Sequence, residues 1–373
     1  MKTFSHECEY LIHLVRCAIH NLQPQEMPEQ LSFENVYRWG VYHQVANIAF
    51  YSVEKLEKKP EPKLYKQWQE SRDHAIIRDI NQNFAATQIR DALTAAHIRW
   101  VEVQGTKIKP LYPQPEWRTM SDLDFIIDLE NIPQVKEILE NLGYQCEELY
   151  QDELNADRPP KMGVEMHTEF FLGDYKYRHI LNSPFDHLDE NGQCEPYTFY
   201  LYNILHIAKH YFFSGCGIRR VLDVYYLNQK YGDLIHSPRI QEVLKQAELV
   251  EFTAEFSSIA DAWFGLEEQD FQKTKMVKYI INSGVHGSHV NEIEKNMEKA
   301  LDPAQRHSKW GYILRRFLGN RQDLRTRYPV LERHPILYPF CWILRGVTAL
   351  KPKKLKHLRT EVLLLENMEE PKE

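Results

Sequence analysis

The pattern of apolar and polar positions changes its period twice along the chain. Leu11, Leu14, Val15 and Ala18 form one stripe across residues 4–21, and a Pro-containing linker at 24–28 follows. Residues 33–56 again place apolar side chains at helical spacing, and Lys58-Lys59-Pro60-Glu61-Pro62 marks a turn. The spacing of Ala75, Ile76, Ile80, Phe84, Ile89, Ala92 and Leu93 predicts one long helix over 64–95. From 96 to 172 the period shortens to two. Val101-Glu102-Val103, Phe125-Ile126-Ile127 and Val164-Glu165-Met166-His167 read as three short strands. Between the second and third, Ile132, Val135, Ile138, Leu139 and Leu142 mark a helical face, opened by Asn131 and Pro133 and closed by Gly143. The polar stretch 147–161, with Asp152, Glu153, Asp157 and Pro159-Pro160, reads as a surface loop beside this module. Helical spacing returns over 197–213, 218–230, 240–249, 252–264 and 271–281, with Asn191-Gly192 as a turn before them.

The pattern predicts an α+β or α/β chain in four parts. Residues 1–95 are a helical region, 96–172 a small mixed-sheet module, 173–300 a helical domain, and 301–373 a basic helical segment with an acidic tail. Composition agrees with a globular protein: 43% of the 373 residues are hydrophobic and 27% charged. The cysteines at 8, 17, 146, 194, 216 and 341 form no CxxC pair, which fits reduced thiols rather than a disulfide scaffold. The first residues lack the apolar run of a signal peptide, and no window approaches the roughly 20 apolar residues of a spanning helix. A cytoplasmic location is expected. Charge is unevenly spread. Residues 305–359 carry 14 Lys and Arg against Asp323 and Glu332, beside the apolar run 336–344, while the whole chain is at −7. Such a segment fits a solvated cap over the acidic body, contact with an anionic membrane surface, or a grip on a polyanion such as nucleic acid. The overall acidity argues against a broad nucleic-acid surface.

The candidate chemistry gathers between 100 and 169. A strand projects alternate side chains to one face, so Asp122 and Asp124 share a face at the start of an apolar run. Paired carboxylates repel unless a cation lies between them, and carboxylate oxygens suit a hard ion such as Mg²⁺ or Mn²⁺. Glu165 offers a third carboxylate from the next strand, with Glu169 and Asp128 as alternatives. His167, on the same face as Glu165, orients a carboxylate, fills the core or takes a direct part in catalysis. Gln104-Gly105-Thr106 breaks the first strand at the opening of a short helix, where backbone amides approach a phosphate, and Lys107 adds charge. Arg118 contacts a phosphate or braces its loop through an ion pair. His206 and His210 have metal-compatible i, i+4 spacing, but Ile207 stands where the metalloprotease motif has glutamate. Arg219 and Asp223 are also four apart and suit a pair.

These residues resemble a known group. Gly105, Leu111-Tyr112-Pro113, Arg118, Asp122-Leu123-Asp124, Gly143-Tyr144 and Glu165-Met166-His167 look like the bacterial uncharacterised nucleotidyltransferase family, within the DNA polymerase beta-type superfamily. His206, His210 and the run 217–223 fit the same pattern. The resemblance implies a palm-like mixed-sheet module and a two-metal transfer of a nucleoside monophosphate from an NTP to an acceptor, releasing pyrophosphate. It implies Asp122, Asp124 and Glu165 as catalytic metal ligands, with Gly105, Thr106, Lys107 and Arg118 toward the nucleotide. The acceptor stays open among a small molecule, a sugar, a protein hydroxyl and an RNA end. One position departs: the family's lysine before the glycine is Gln104 here. That feature favours the alternative, a non-catalytic binding or scaffold protein that keeps the fold, peripheral to a membrane or to polysaccharide biosynthesis.

Overall fold

The computed structural model describes residues 6–147, 153–159, 162–171, 177–181, 183–189, 192–267, 274–284 and 338–340. The basic segment 305–359, and with it the question of membrane or polyanion contact, lies outside the described residues apart from 338–340. The described residues up to Gly284 belong to one compact unit. No helix among the described residues is long and apolar enough to cross a membrane.

Four helices come first: α1 (His6–Ile19), α2 (Phe33–Tyr42), α3 (Ala46–Val53) and α4 (Pro62–Ala95). The stretch expected as a single helix over 33–56 breaks at His43-Gln44-Val45. Gln44 takes a positive φ of 53°, which a helix interior does not accommodate. Buried polar contacts hold the break: the Asn47 side chain donates to the Glu116 and Trp117 carbonyls at 3.1 Å each. Helix α4 runs unbroken for 34 residues, but its buried stripe is not the one its isoleucines suggest. Trp68, Ala75, Gln82, Ala86, Ile89 and Leu93 face inward, at spacings of seven, four and three. Ile80 and Phe84, assigned to the core stripe by periodicity, are exposed together with Ile77. Alanines let α4 approach its neighbours closely. Gln82 is accommodated by donating to the Met120 carbonyl and accepting from Lys109.

The sheet follows: β1 (Trp100–Glu102), α5 (Gly105–Ile108), β2 (Asp122–Ile127), α6 (Ile132–Asn141), β3 (Gln145–Cys146), β4 (Leu154–Arg158) and β5 (Met162–His167). Strand order is β1-β2-β5-β4-β3, with β2 and β5 parallel and the other pairs antiparallel. This is the mixed sheet with flanking helices that the pattern predicted. The polar stretch 147–161 was expected as a loop, yet Leu154–Arg158 is a strand. Leu154 and Ala156 bury inward while Asn155 pairs with Glu165 across the sheet. Two small apolar residues among charges leave a weak periodic signal, and pairing to β5 decides the outcome.

The sheet's two faces differ. Leu123, Phe125 and Ile127 of β2, Val164 and Met166 of β5, and Leu154 and Ala156 of β4 pack against α6 and the last turns of α4 in one core. Period two therefore sends Asp122 and Asp124, Glu165 and His167, and Glu153 and Asn155 to the opposite face. Toward that face lie α7 (Pro196–Phe213) and α8 (Ile218–Ile235), followed by α9 (Pro238–Gln246), α10 (Val250–Phe264) and α11 (Lys275–Ser283). These share a second core with α1 and α3.

Candidate functional site

The polar face of the sheet and the facing ends of α7 and α8 enclose a cleft of about 380 Å³. On the sheet side, the parallel register of β2 and β5 sets Asp124 directly beside Glu165. Asp124 is buried, and His167 lies between its neighbours. The His167 Nε2 is 3.3 Å from Asp124 Oδ1 and 3.5 Å from Glu165 Oε2, while Nδ1 is 3.2 Å from Glu153 Oε2. Gln104 Nε2 donates to the same Asp124 oxygen at 3.0 Å. Gln104 does so from a strained backbone, φ 55° and ψ −118°, a cost of the kind concentrated at functional sites.

The electrostatics follow from this crowding. Burial raises the Glu165 carboxyl, and the Asp124 and Asp122 charges add to it, to about 8. Asp122 is raised for the same reasons, burial first and then Asp124, and it shares a hydrogen bond with Glu165. Burial alone would lower His167, but its hydrogen bonds to Asp124 and Glu153 carry it up to about 10. Glu153 is correspondingly held low, chiefly by His167. The imidazolium thus offsets part of the charge of a carboxylate cluster that remains underneutralised. Asp124, Glu165 and His167 each bring a ligand atom within 4.8 Å of the other two. With both His167 nitrogens engaged by carboxylates, the Asp124 and Glu165 oxygens are the atoms that suit a hard divalent cation.

Across the cleft the charges are positive. Lys209 of α7 and Arg219 and Arg220 of α8 line it, with Tyr202, His206 and His210. His206 is lowered by burial and then by His210, with which it shares a hydrogen bond between stacked rings. Behind the wall, Arg118 meets Asp223 through two bonds, Nε to Oδ1 at 3.0 Å and Nη2 to Oδ2 at 3.1 Å. The Tyr112 hydroxyl donates to Asp223 Oδ1 at 2.7 Å.

The residues singled out from sequence therefore separate. Gly105, Arg118, Asp122, Asp124 and Glu165 all line the cleft. Gly105 is crowded there: an added Cβ would lie 2.4 Å from Met120 Sδ and 2.9 Å from Arg118 Nη1. Thr106 and Lys107, expected beside the nucleotide, are not among the residues that line it. Thr106 donates back to the Val103 carbonyl, and Lys107 reaches Gln193. Successive helical residues are about 100° apart, so a turn that points Gly105 into the cleft points Lys107 away. The alternative third ligands are engaged elsewhere, Asp128 by Arg99 and Glu169 by Arg178. Arg118 takes the ion-pair role. The expected pairing of Asp223 with Arg219 is replaced by pairing with Arg118 and, at 3.4 Å, with Arg220. Glu153, Lys209 and Tyr202 were missed. Only Glu153 left a signal, the alternation into Leu154 and Ala156.

A family model for uncharacterised nucleotidyltransferases matches residues 29–265, a span holding the whole cleft. The chain belongs to that family. The uncharacterised nucleotidyltransferase match begins before α2 and ends after α10, so it takes in both walls of the site. No curated protein matches the chain. Among solved structures, it is similar to the antibiotic-resistance factor ANT(2'')-Ia, at 13% identity and a TM-score of 0.26, over 50% of this chain and 92% of that one. So slight a likeness carries no argument about this site.

Proposed function

We propose that this nucleotidyltransferase-family protein transfers a nucleoside monophosphate from an NTP to a nucleophilic acceptor, using Mg²⁺ or Mn²⁺, in a polymerase beta-like module. The observation that carries the reading is the convergence of Asp122, Asp124 and Glu165 on one face of β2 and β5, opposite a cationic wall. A structural cluster of three carboxylates, one held at about 8, is a standing cost to the fold unless a ligand uses it. Bound there, divalent cations would neutralise the triphosphate and acidify the acceptor's hydroxyl.

The side chains divide the remaining work. Asp122 and Asp124 provide the oxygen ligands, and His167 with Gln104 fixes the rotamer of Asp124 from two sides. Glu165 is the more exposed partner, 36% against 6% for Asp124, and so is the one an acceptor reaches. With a divalent cation bound, Glu165 would be ionised in spite of the rise that its neighbours impose in the empty site, and would accept the acceptor's proton as the new bond forms at the α-phosphorus. The bond from that phosphorus to the bridging oxygen breaks, and pyrophosphate leaves.

A second reading is supported by Gln104. It stands where the resemblance has a lysine, and its amide is committed to Asp124. A protein that binds nucleotide without transferring it would tolerate that exchange. Titration calorimetry with non-hydrolysable NTP analogues and Mg²⁺, on wild type and on Asp122→Asn/Asp124→Asn, tests the site. Turnover of labelled NTP then separates the two readings. Metal-dependent binding lost in the double variant is expected; equal binding by both proteins would sink the site.

A further inference from the structure

Helix α8 begins with two arginines. Its first turn carries Arg219 and Arg220, at the end of an 18-residue helix where the dipole disfavours cations and favours anions. They also stand beside Arg118, so three guanidiniums surround a single carboxylate, Asp223. Asp223 is already occupied, since Arg118 takes both of its oxygens and Tyr112 one of them. Arg219 is 4% exposed and lines the cleft. One of its terminal nitrogens holds the Thr119 carbonyl at 2.7 Å and Gln44, but its Nε is buried with no partner among the described residues. Burial, with Arg118 and Arg220 next, pushes Arg219 down to about 9. Positive charge is therefore in excess on this wall. Asp122 and Asp124 face it across the cleft, but they are the groups assigned to the cation.

We propose that Arg219 and Arg220, at the N-terminus of α8, form the seat for a condensed phosphate chain in the cleft. This deepens the nucleotidyl-transfer reading and rests on it for the identity of the ligand, the tail of the NTP. It also accounts for the chain managing without a lysine at position 104 and with Lys107 turned away. The positive charge comes from the helical wall, 115 residues further along, instead of from the strand-to-helix turn. Lys209, four residues from Phe213 at the end of α7, extends the same wall.

The test is titration of the full chain with inorganic tripolyphosphate in Mg²⁺, for wild type, Arg220→Gln and Arg220→Lys. Arg220 is chosen because it makes a single long contact to Asp223, and thermal melts confirm that the variants fold. Loss of one charge-assisted contact should weaken binding roughly ten- to hundredfold in Arg220→Gln, with partial recovery in Arg220→Lys. Competition between tripolyphosphate and a non-hydrolysable NTP is the expected result, and simultaneous binding of the two overturns the assignment of the seat to the nucleotide tail. Tripolyphosphate binding equally to wild type and Arg220→Gln, or not binding wild type, overturns the seat. If NTP binding still needs Asp122 and Asp124 in that case, the proposed function survives. If instead tripolyphosphate binds through Arg220 and no nucleotide binds, the seat survives and the transfer reading fails.

Discussion

Replacing His43 with Gln should flatten the acid limb of this protein's stability curve. His43 is fully buried, stacked on Trp39, and its Nδ1 accepts the backbone N–H of Ile218 at 3.2 Å. That N–H belongs to the first residue of α8 and would otherwise be one of the helix's orphan donors. Gly217 makes the approach possible, since a Cβ there would lie 2.6 Å from His43 Nδ1 and 2.6 Å from the Gly284 backbone. An acceptor nitrogen must be unprotonated. Burial accordingly lowers His43 from 6.5 to about 3. The unfolded chain binds a proton near 6.5 and the folded chain does not, so the contribution is complete above pH 6.5 and is lost as pH falls toward 3. The full gap corresponds to about 5 kcal/mol. At pH 5 about 2 kcal/mol of it is already gone. Urea unfolding at pH 7.5, 6 and 5 measures this directly. Gln retains a carbonyl acceptor for Ile218 and does not titrate. Wild type should lose about 2 kcal/mol more than His43→Gln between pH 7.5 and pH 5. Equal losses in the two proteins, or an NMR titration of His43 near 6.5, would refute the reasoning.

Two further outcomes are expected. Asp223→Asn leaves Arg118 buried without its ion-pair partner, which should cost about 3–5 kcal/mol in urea unfolding; the Arg118→Met/Asp223→Leu double variant should lose less than the sum of the single ones. Glu165→Gln removes a carboxyl that burial and Asp124 hold at about 8. Because that value is raised, wild type without metal loses stability as pH rises from 4.5 through 8, so the variant should melt higher than wild type at pH 9 in chelator. Addition of Mg²⁺ should raise the melting temperature of wild type and leave that of the variant nearly unchanged.

How much of the site was legible depends on the distance over which each rule acts. Asp122, Asp124 and Glu165 were readable because strand alternation is a local rule, and one face of each strand was visibly apolar. The Gly105 turn was readable too, but the direction of Lys107 was not. It depends on the rotation of a four-residue helix whose side chains reach Gln193, 86 residues away. Arg118 could be narrowed to two roles and no further, since its partner is 105 residues distant. Glu153 was lost in a stretch with too few apolar residues to show its period. In the fold, the long helix α4 was evident, yet its exposed isoleucines and buried Gln82 were not, because burial there follows Met120 and Lys109 rather than hydropathy.

The sequence by itself determined the alternation of a helical region, a strand-bearing module and a second helical region, the apolar face of β2 and β5, and the acids Asp122, Asp124 and Glu165 on their other face. Each follows from periodicity between near neighbours in the chain. Only the tertiary structure decided what those acids confront. It placed His167 and Gln104 on Asp124, set α7 and α8 opposite the sheet, and brought the two arginines at the start of α8 to the cleft. A residue's electrostatic partners are fixed by packing across the fold, and packing is not a function of sequence spacing.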